Sequence, residues 1–234
     1  MKILAVDTAT RSCSVAIVDE DLLLTETTIV SGQTHSIHLM DMIHTALQTA
    51  DLTVSDVDGW AVSAGPGSFT GLRIGMSTIK GLALASGKPV AGVSSLEVLA
   101  WQVLPCCNLM CAMLDARKGQ VYCARYRSVS GALVQELPAA VLSPAEAVSD
   151  IEEPCVFVGD GAKRYEPEIV SSLADSARIA PNGQHIIRAS SVAWLSLQDF
   201  KSGGPHDPAR LAPCYIRKSD AELRLRRSTS VPAR

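Results

Sequence analysis

The chain has 234 residues, enough for one large domain or two small ones with a sizeable core. Hydrophobic residues make up 47% and aromatics only 4%, which excludes global disorder and leaves Val, Leu, Ile and Ala to build that core. A net charge of -3 gives no general attraction to nucleic acid, so any RNA contact must be local or come through a partner.

The seven cysteines are odd in number and include no CxxC pair. They fit small core residues, Cys123 and Cys155 among them, in a reducing cytoplasmic compartment. The apolar run of the opening MKILAVDTATRS is too short for a signal peptide. Residues 71–93 carry Arg73, Lys80 and Lys88, so no membrane span is expected there.

Residues 2–8 read as an apolar strand ending on Asp7. Strands over 13–18 and 22–30 follow around the Asp19-Glu20-Asp21 turn, a meander of three strands before any helix. Asp7 with Thr8 and Thr10 can be read in two ways. A carboxylate closing a first strand, with a hydroxyl-rich turn after it, can order Mg²⁺ or water near phosphates. It is equally an ordinary Asx-type turn. The spacing then predicts an amphipathic helix over 33–50, with Leu39, Ile43, Ala46, Leu47 and Ala50 on one stripe. His35, His38 and Asp41 share a side of it. Their i, i+3 step misses the i, i+4 helical zinc pair, so a solvated or partner-facing surface is expected and no metal site.

A strand over 59–64 leads into Gly65-Pro66-Gly67-Ser68-Phe69-Thr70-Gly71, followed by a helix over 71–86. This loop has no Gly-Lys-Ser/Thr, and its GxGxxxG spacing misses the dinucleotide fingerprint. The glycines are therefore expected to serve close packing of strand and helix. A strand over 89–93 and a short helix capped by Ser94 or Ser95 complete the first half, with Glu97 placed for a capping box.

The composition shifts at 104–108, which sets lobes at 1–104 and 105–203 and a C-terminal segment at 204–234. The last helix of the second lobe has the option of returning to the first. Strands are expected over 109–115, 120–127 and 133–137, with Asp115-Ala116-Arg117-Lys118 a solvated hairpin tip. Ser143-Pro144-Ala145-Glu146 starts a helix, having an N-cap Ser, Pro at N1 and Glu at N3. A strand over 156–158 enters Gly159-Asp160-Gly161, a turn that either admits a base or sugar close to the backbone or is a plain loop. The last helix spans 190–200. Arg217, Lys218, Arg224, Arg226 and Arg227 make the tail basic; it is expected to be disordered, and its charge reads either as a solvated run or as a contact for an RNA phosphate backbone. Both halves open with a meander and continue with alternating elements, as degenerate copies of one βββαβα unit would. No Ser-His-Asp, Cys-His, paired-carboxylate or HExxH grouping appears.

The stretches ILAVDTAT, QTHSIHL, GPGSFTGLRIGMSTIKGLA, SSLEVLA, LDARKGQVYCARY, GDGAKRY and PCYIRK run in order from residue 2 to about residue 218. Together they resemble the TsaB (YeaZ-like) family. The resemblance implies an α/β, two-lobed actin/Hsp70/sugar-kinase-like (ASKHA) fold, each lobe a mixed sheet flanked by helices. It also implies a non-catalytic scaffold or activator subunit. Such a subunit pairs with the catalytic paralogue TsaD and the ATPase TsaE in N6-threonylcarbamoylation of adenosine 37 of ANN-decoding tRNAs. The HxxxH metal motif of TsaD is not matched by His35 and His38, so the transferase chemistry does not carry over.

The same resemblance implies homodimers when the chain is alone and tRNA contact mainly through the complex. It implies no tightly bound cofactor, with ATP/Mg only at a complex interface. Its partner face falls on His35, His38, Leu39, Met42, Ile43, Gly71, Leu72, Gly75, Thr78 and Leu82. Asp7, Thr8, Thr10, Gly159, Asp160 and Gly161 are left as vestigial nucleotide-site positions. An ATP-binding phosphotransferase or ATPase on the same fold is the alternative.

Overall fold

A computed structural model describes residues 1–31, 35–104, 109–203 and 207–217. The described residues form two five-stranded sheets of the same design. In the first, β1 (Lys2–Asp7), β2 (Ser12–Asp19) and β3 (Leu22–Val30) make an antiparallel meander. On the other side of β1, β4 (Gly59–Gly65) and β5 (Val90–Ser94) add in parallel, giving the order β3-β2-β1-β4-β5. In the second, β6 (Leu109–Arg117), β7 (Gln120–Val129) and β8 (Ala132–Leu142) repeat the meander. There β9 (Cys155–Val158) and β10 (Ala177–Ile179) repeat the parallel pair, so the order is β10-β9-β6-β7-β8. The repeat that the sequence only hinted at is thus plain in the topology: β1 corresponds to β6, and β4 to β9.

Helices cover both faces of each sheet, which explains why central strands such as Ile3–Val6 are continuously apolar rather than alternating. The outer face of the first sheet carries α1 (Leu39–Thr49) and α2 (Phe69–Ser86) around Trp60, Leu39, Met42 and Ile79. The outer face of the second carries α4 (Pro144–Val148), α5 (Asp160–Arg164) and α6 (Glu166–Leu173). The inner faces share one core with the two remaining helices, α3 (Ser95–Gln102) and α7 (Ala189–Ser202).

These two helices are exchanged. α3 ends the first unit yet packs on β6 and β7, while α7 ends the second yet packs on β1, β2, β4 and β5. Trp101 and Trp194 meet between them with ring centroids 5.8 Å apart.

Two differences from the sequence reading have local causes. The helix expected over 33–50 is a 3-10 turn at His35–Ile37 followed by α1, and residues 33 and 34 lie outside the described residues. His35 Nε2 bonds Thr10 O at 2.8 Å, tying the entry segment to the β1–β2 turn instead of letting it continue the helix. Gly159-Asp160-Gly161 is a helix start rather than a loop, since Asp160 opens α5. Ser94 caps α3 by accepting from Glu97 N–H at 3.4 Å, and at Ser143 and Glu146 the full reciprocal capping box forms. The expected lobe junction at 105–108 and the tail from 218 onward lie outside the described residues.

Candidate functional site

The cleft between the sheets is built from four strand ends. β1 delivers Asp7 and the Thr8–Arg11 turn, and β4 delivers the glycine loop at the start of α2. Their counterparts β6 and β9 deliver Asp115 and Asp160.

On the first-lobe side the glycine loop closes onto the β1–β2 turn. Ser68 N–H donates to Ala9 O at 2.7 Å and Thr8 Oγ1 donates to Gly71 O at 2.8 Å. A Cβ at Gly67 would stand 2.3 Å from Ala9 O, and one at Gly71 only 2.0 Å from Thr8 O. A Cβ at Gly75 would stand 2.3 Å from Thr8 Oγ1. These glycines therefore exist for strand–helix contact, as their spacing suggested. They do not form a small-residue face for another molecule, and that expectation for Gly71 and Gly75 is corrected.

Asp7 is fully buried behind this closure. Its Oδ1 accepts from Ala9 N–H at 3.2 Å, while Oδ2 and the Ser63 hydroxyl oxygen have no hydrogen-bond partner among the described residues. Burial pushes the carboxyl up to about 7, with a small further push from Asp160. The nearby Ser63 hydroxyl and the Ala9 N–H offset this only in part.

Across the cleft, Asp160 accepts from Asp115 N–H at 3.0 Å, and burial raises its carboxyl too. Gly159 takes φ +107°, and a Cβ there would meet Met113 O at 2.2 Å. His185 holds this turn. With Nε2–H donating to Ala180 O at 2.7 Å, Nδ1 accepts from Gly159 N–H at 3.1 Å.

A Mg-nucleotide, which this fold family implies, does not fit these carboxylates. Asp7 is sealed from the cleft, Asp160 is spent on backbone, and Asp115 lies 3.4 Å from the Arg164 guanidinium. Among the described residues no group of three His, Cys, Asp or Glu is placed to hold a metal ion.

The open part of the cleft is a cavity of about 640 Å³ with a cationic wall. Arg11 comes from the first lobe, and Arg117, Lys118 and Arg164 from the second. Arg217 is brought in by residues 207–217, a strap that runs along the first lobe and whose last four residues line the mouth of the cleft. Lys80 Nζ donates to Leu211 O at 3.0 Å, Cys214 N–H to Ala64 O at 2.7 Å, and Arg73 Nε to the Tyr215 hydroxyl at 3.0 Å. Tyr215 lies against Phe69 with centroids 4.9 Å apart, and Arg217 reaches the other lobe at Ala116 O, 3.2 Å away. Sequence reasoning set Asp115 and Arg117 aside as part of a solvated hairpin tip and gave Tyr215 no role of its own. The signal that could have found Asp115 is the repeat itself, which makes it the copy of Asp7.

The expected partner face divides in two. Leu39, Met42, Ile43 and Leu72 are buried within the chain's own core, so they do not face a partner. Their periodicity records the sheet beneath them. His35, His38, Thr78 and Leu82 are partly exposed, and Ile37, Met40 and Leu84 are the exposed large apolar residues of this layer.

A sequence profile described as TsaD: tRNA N6-adenosine threonylcarbamoyltransferase matches residues 28–223. The tRNA threonylcarbamoyladenosine biosynthesis protein TsaB of Bacillus subtilis is 32% identical, over 96% of this chain and 97% of that protein. That of Escherichia coli is 31% identical, over 96% and 98%. This chain belongs to the TsaB (YeaZ) family. YeaZ from Pseudomonas aeruginosa superimposes with a TM-score of 0.79 at 29% identity, covering 92% of this chain and 99% of that one. The Acidaminococcus fermentans (R)-2-hydroxyglutaryl-CoA dehydratase component A matches with a TM-score of 0.52 at 10% identity, a likeness of fold alone. The two-lobed ASKHA architecture of the family is therefore the architecture of this chain. No helix among its described residues is long and apolar enough to cross a membrane.

Proposed function

We propose that this chain is the non-catalytic subunit that pairs with TsaD, and with the ATPase TsaE, in making threonylcarbamoyladenosine at position 37 of ANN-decoding tRNAs in the cytoplasm. The observation that carries the reading is similarity to TsaB proteins along nearly the whole chain. The closed glycine loop and the buried Asp7 support a non-catalytic role, because they leave the cleft without an available metal carboxylate among the described residues. ATP and Mg²⁺ then belong to an interface within the complex rather than to this cleft. The partner surface is the outer layer of the first lobe, at the exposed Ile37, Met40 and Leu84, with His35, His38, Thr78 and Leu82 beside the buried positions. The same surface serves self-association when the chain is alone.

A reaction reconstituted with TsaD, TsaE, the adenylate-forming enzyme, threonine, bicarbonate, ATP and tRNA tests the role. Omitting this chain is expected to abolish modified tRNA. Undiminished product without it would remove the reading.

A further inference from the structure

The cavity between the lobes has a charge balance opposite to that of the chain. Among the described residues, five cationic side chains line it against two carboxylates, in a protein of net charge -3. One of those carboxylates, Asp160, is turned to the Asp115 N–H, and the other, Asp115, is near Arg164. Arg11 and Arg117 are exposed side chains on opposite walls, and Arg217 closes the mouth. Such a wall concentrates positive potential where low-dielectric surfaces face each other.

Aromatic surface adjoins it. Tyr122 lines the second-lobe wall and the Phe69–Tyr215 pair the first, with Tyr215 40% exposed. Arg217 lies in this mouth, and the seventeen residues that follow it in the sequence carry five basic side chains against the two carboxylates Asp220 and Glu222. A nucleoside triphosphate is a poor match, because its clustered charge calls for a divalent cation and the carboxylates are withdrawn. A chain of singly charged phosphodiesters asks only for spaced cations and a ring to stack on.

We propose that the cleft mouth holds single-stranded RNA, with its phosphates on Arg11, Arg117 and Arg217 and a base against Tyr215. That the strand belongs to tRNA rests on the subunit role proposed above, whereas the phosphodiester chemistry does not.

The test is a titration of the full chain with a fluorescent anticodon stem-loop RNA at several salt concentrations. The variants are Arg11→Glu/Arg117→Glu, Tyr215→Ala and the control Arg178→Glu/Lys201→Glu, which makes the same charge change on exposed residues away from the cleft. The cleft pair is expected to weaken binding about tenfold or more and to flatten the log–log salt slope by about 0.7 per lost phosphate contact. Tyr215→Ala is expected to weaken binding with the slope unchanged, and the control to match wild type. Chelating Mg²⁺ or adding Mg-ATP should leave binding unchanged.

A cleft pair that binds like the control would overturn the inference. So would displacement of RNA by Mg-ATP that chelation reverses, which would make the cleft a nucleotide site. The omission reaction reads the subunit role and this titration reads the cleft, so either can fail alone.

Discussion

A carboxylate enclosed at the end of β1 is charged only at a cost, and the pH dependence of stability follows from it. In the unfolded chain Asp7 ionises near 3.8, and in the fold burial holds the proton until about pH 7. Between those values the folded state binds more protons than the unfolded one, so stability falls as pH rises and levels off above about 7. Asp7→Asn removes this dependence, because its amide carries no charge at any pH. The variant should be more stable than wild type at pH 8 by about 2–4 kcal/mol, a gap that shrinks toward zero near pH 4. Urea melts at pH 4.5, 6 and 8 measure it, and a gap independent of pH would show that Asp7 does not hold its proton. In the sequence Asp7 was legible as a special position, but its burial was not. That depends on Gly67 and Gly71 arriving from sixty residues away.

At the scale of elements, α2 contains glycines of opposite kinds. A Cβ at Gly71 would meet backbone, Thr8 O, at 2.0 Å, whereas one at Gly81 would meet nothing within 4 Å. Gly71→Ala must part α2 from the β1–β2 turn and should cost about 3 kcal/mol or more, the range of overpacked sites. Gly81→Ala should stabilise by about 0.5–1 kcal/mol through helix propensity and a less disordered unfolded chain. Thermal melts of the two variants separate these cases, and a neutral Gly71→Ala would disprove the close approach.

The sequence could not rank these residues, since both sit in one helical pattern. Strands flanked by turn signals, such as Leu22–Val30, were readable to the residue because edge and apolar positions are set locally. The pair α5 and α6 and the short β10 escaped, since Gly159-Asp160-Gly161 looks like punctuation until His185 and Asp115 fix its backbone. The outward face assigned to Leu39 and Met42 failed for a similar reason: an apolar stripe says that something covers it, not whether that is the chain's own sheet.

At the scale of the molecule, exchange of α3 and α7 makes the two units one folding body. Each sheet has an inner face covered partly by a helix from the other unit, so neither can close its core alone. The docking of α7 depends on a polar clasp. Glu26 on β3, with its side chain only 5% exposed, accepts from the Arg188 guanidinium and from the Ser190 hydroxyl and N–H, at 2.7 and 2.9 Å for the latter two. Ser14 Oγ accepts from Ala189 N–H at 3.0 Å beside it. Together they satisfy donors at the first turn of α7, which has no cap from its own N-cap side chain.

Glu26→Ala leaves these buried donors unmatched and should cost about 2–3 kcal/mol, while Arg188→Ala should cost less because that side chain is half exposed. Because α7 also reaches the shared core, the loss should be felt on both sheets. Under conditions where exchange reports equilibrium opening, the slowest amides of β1 and of β6 should lose protection by the same factor, about 30- to 150-fold for that free-energy change. Hydrogen exchange with mass-spectrometric readout resolves the two strands. Lost protection in β1 with β6 unchanged would mean that the lobes unfold separately, and the exchanged helices would then not couple them.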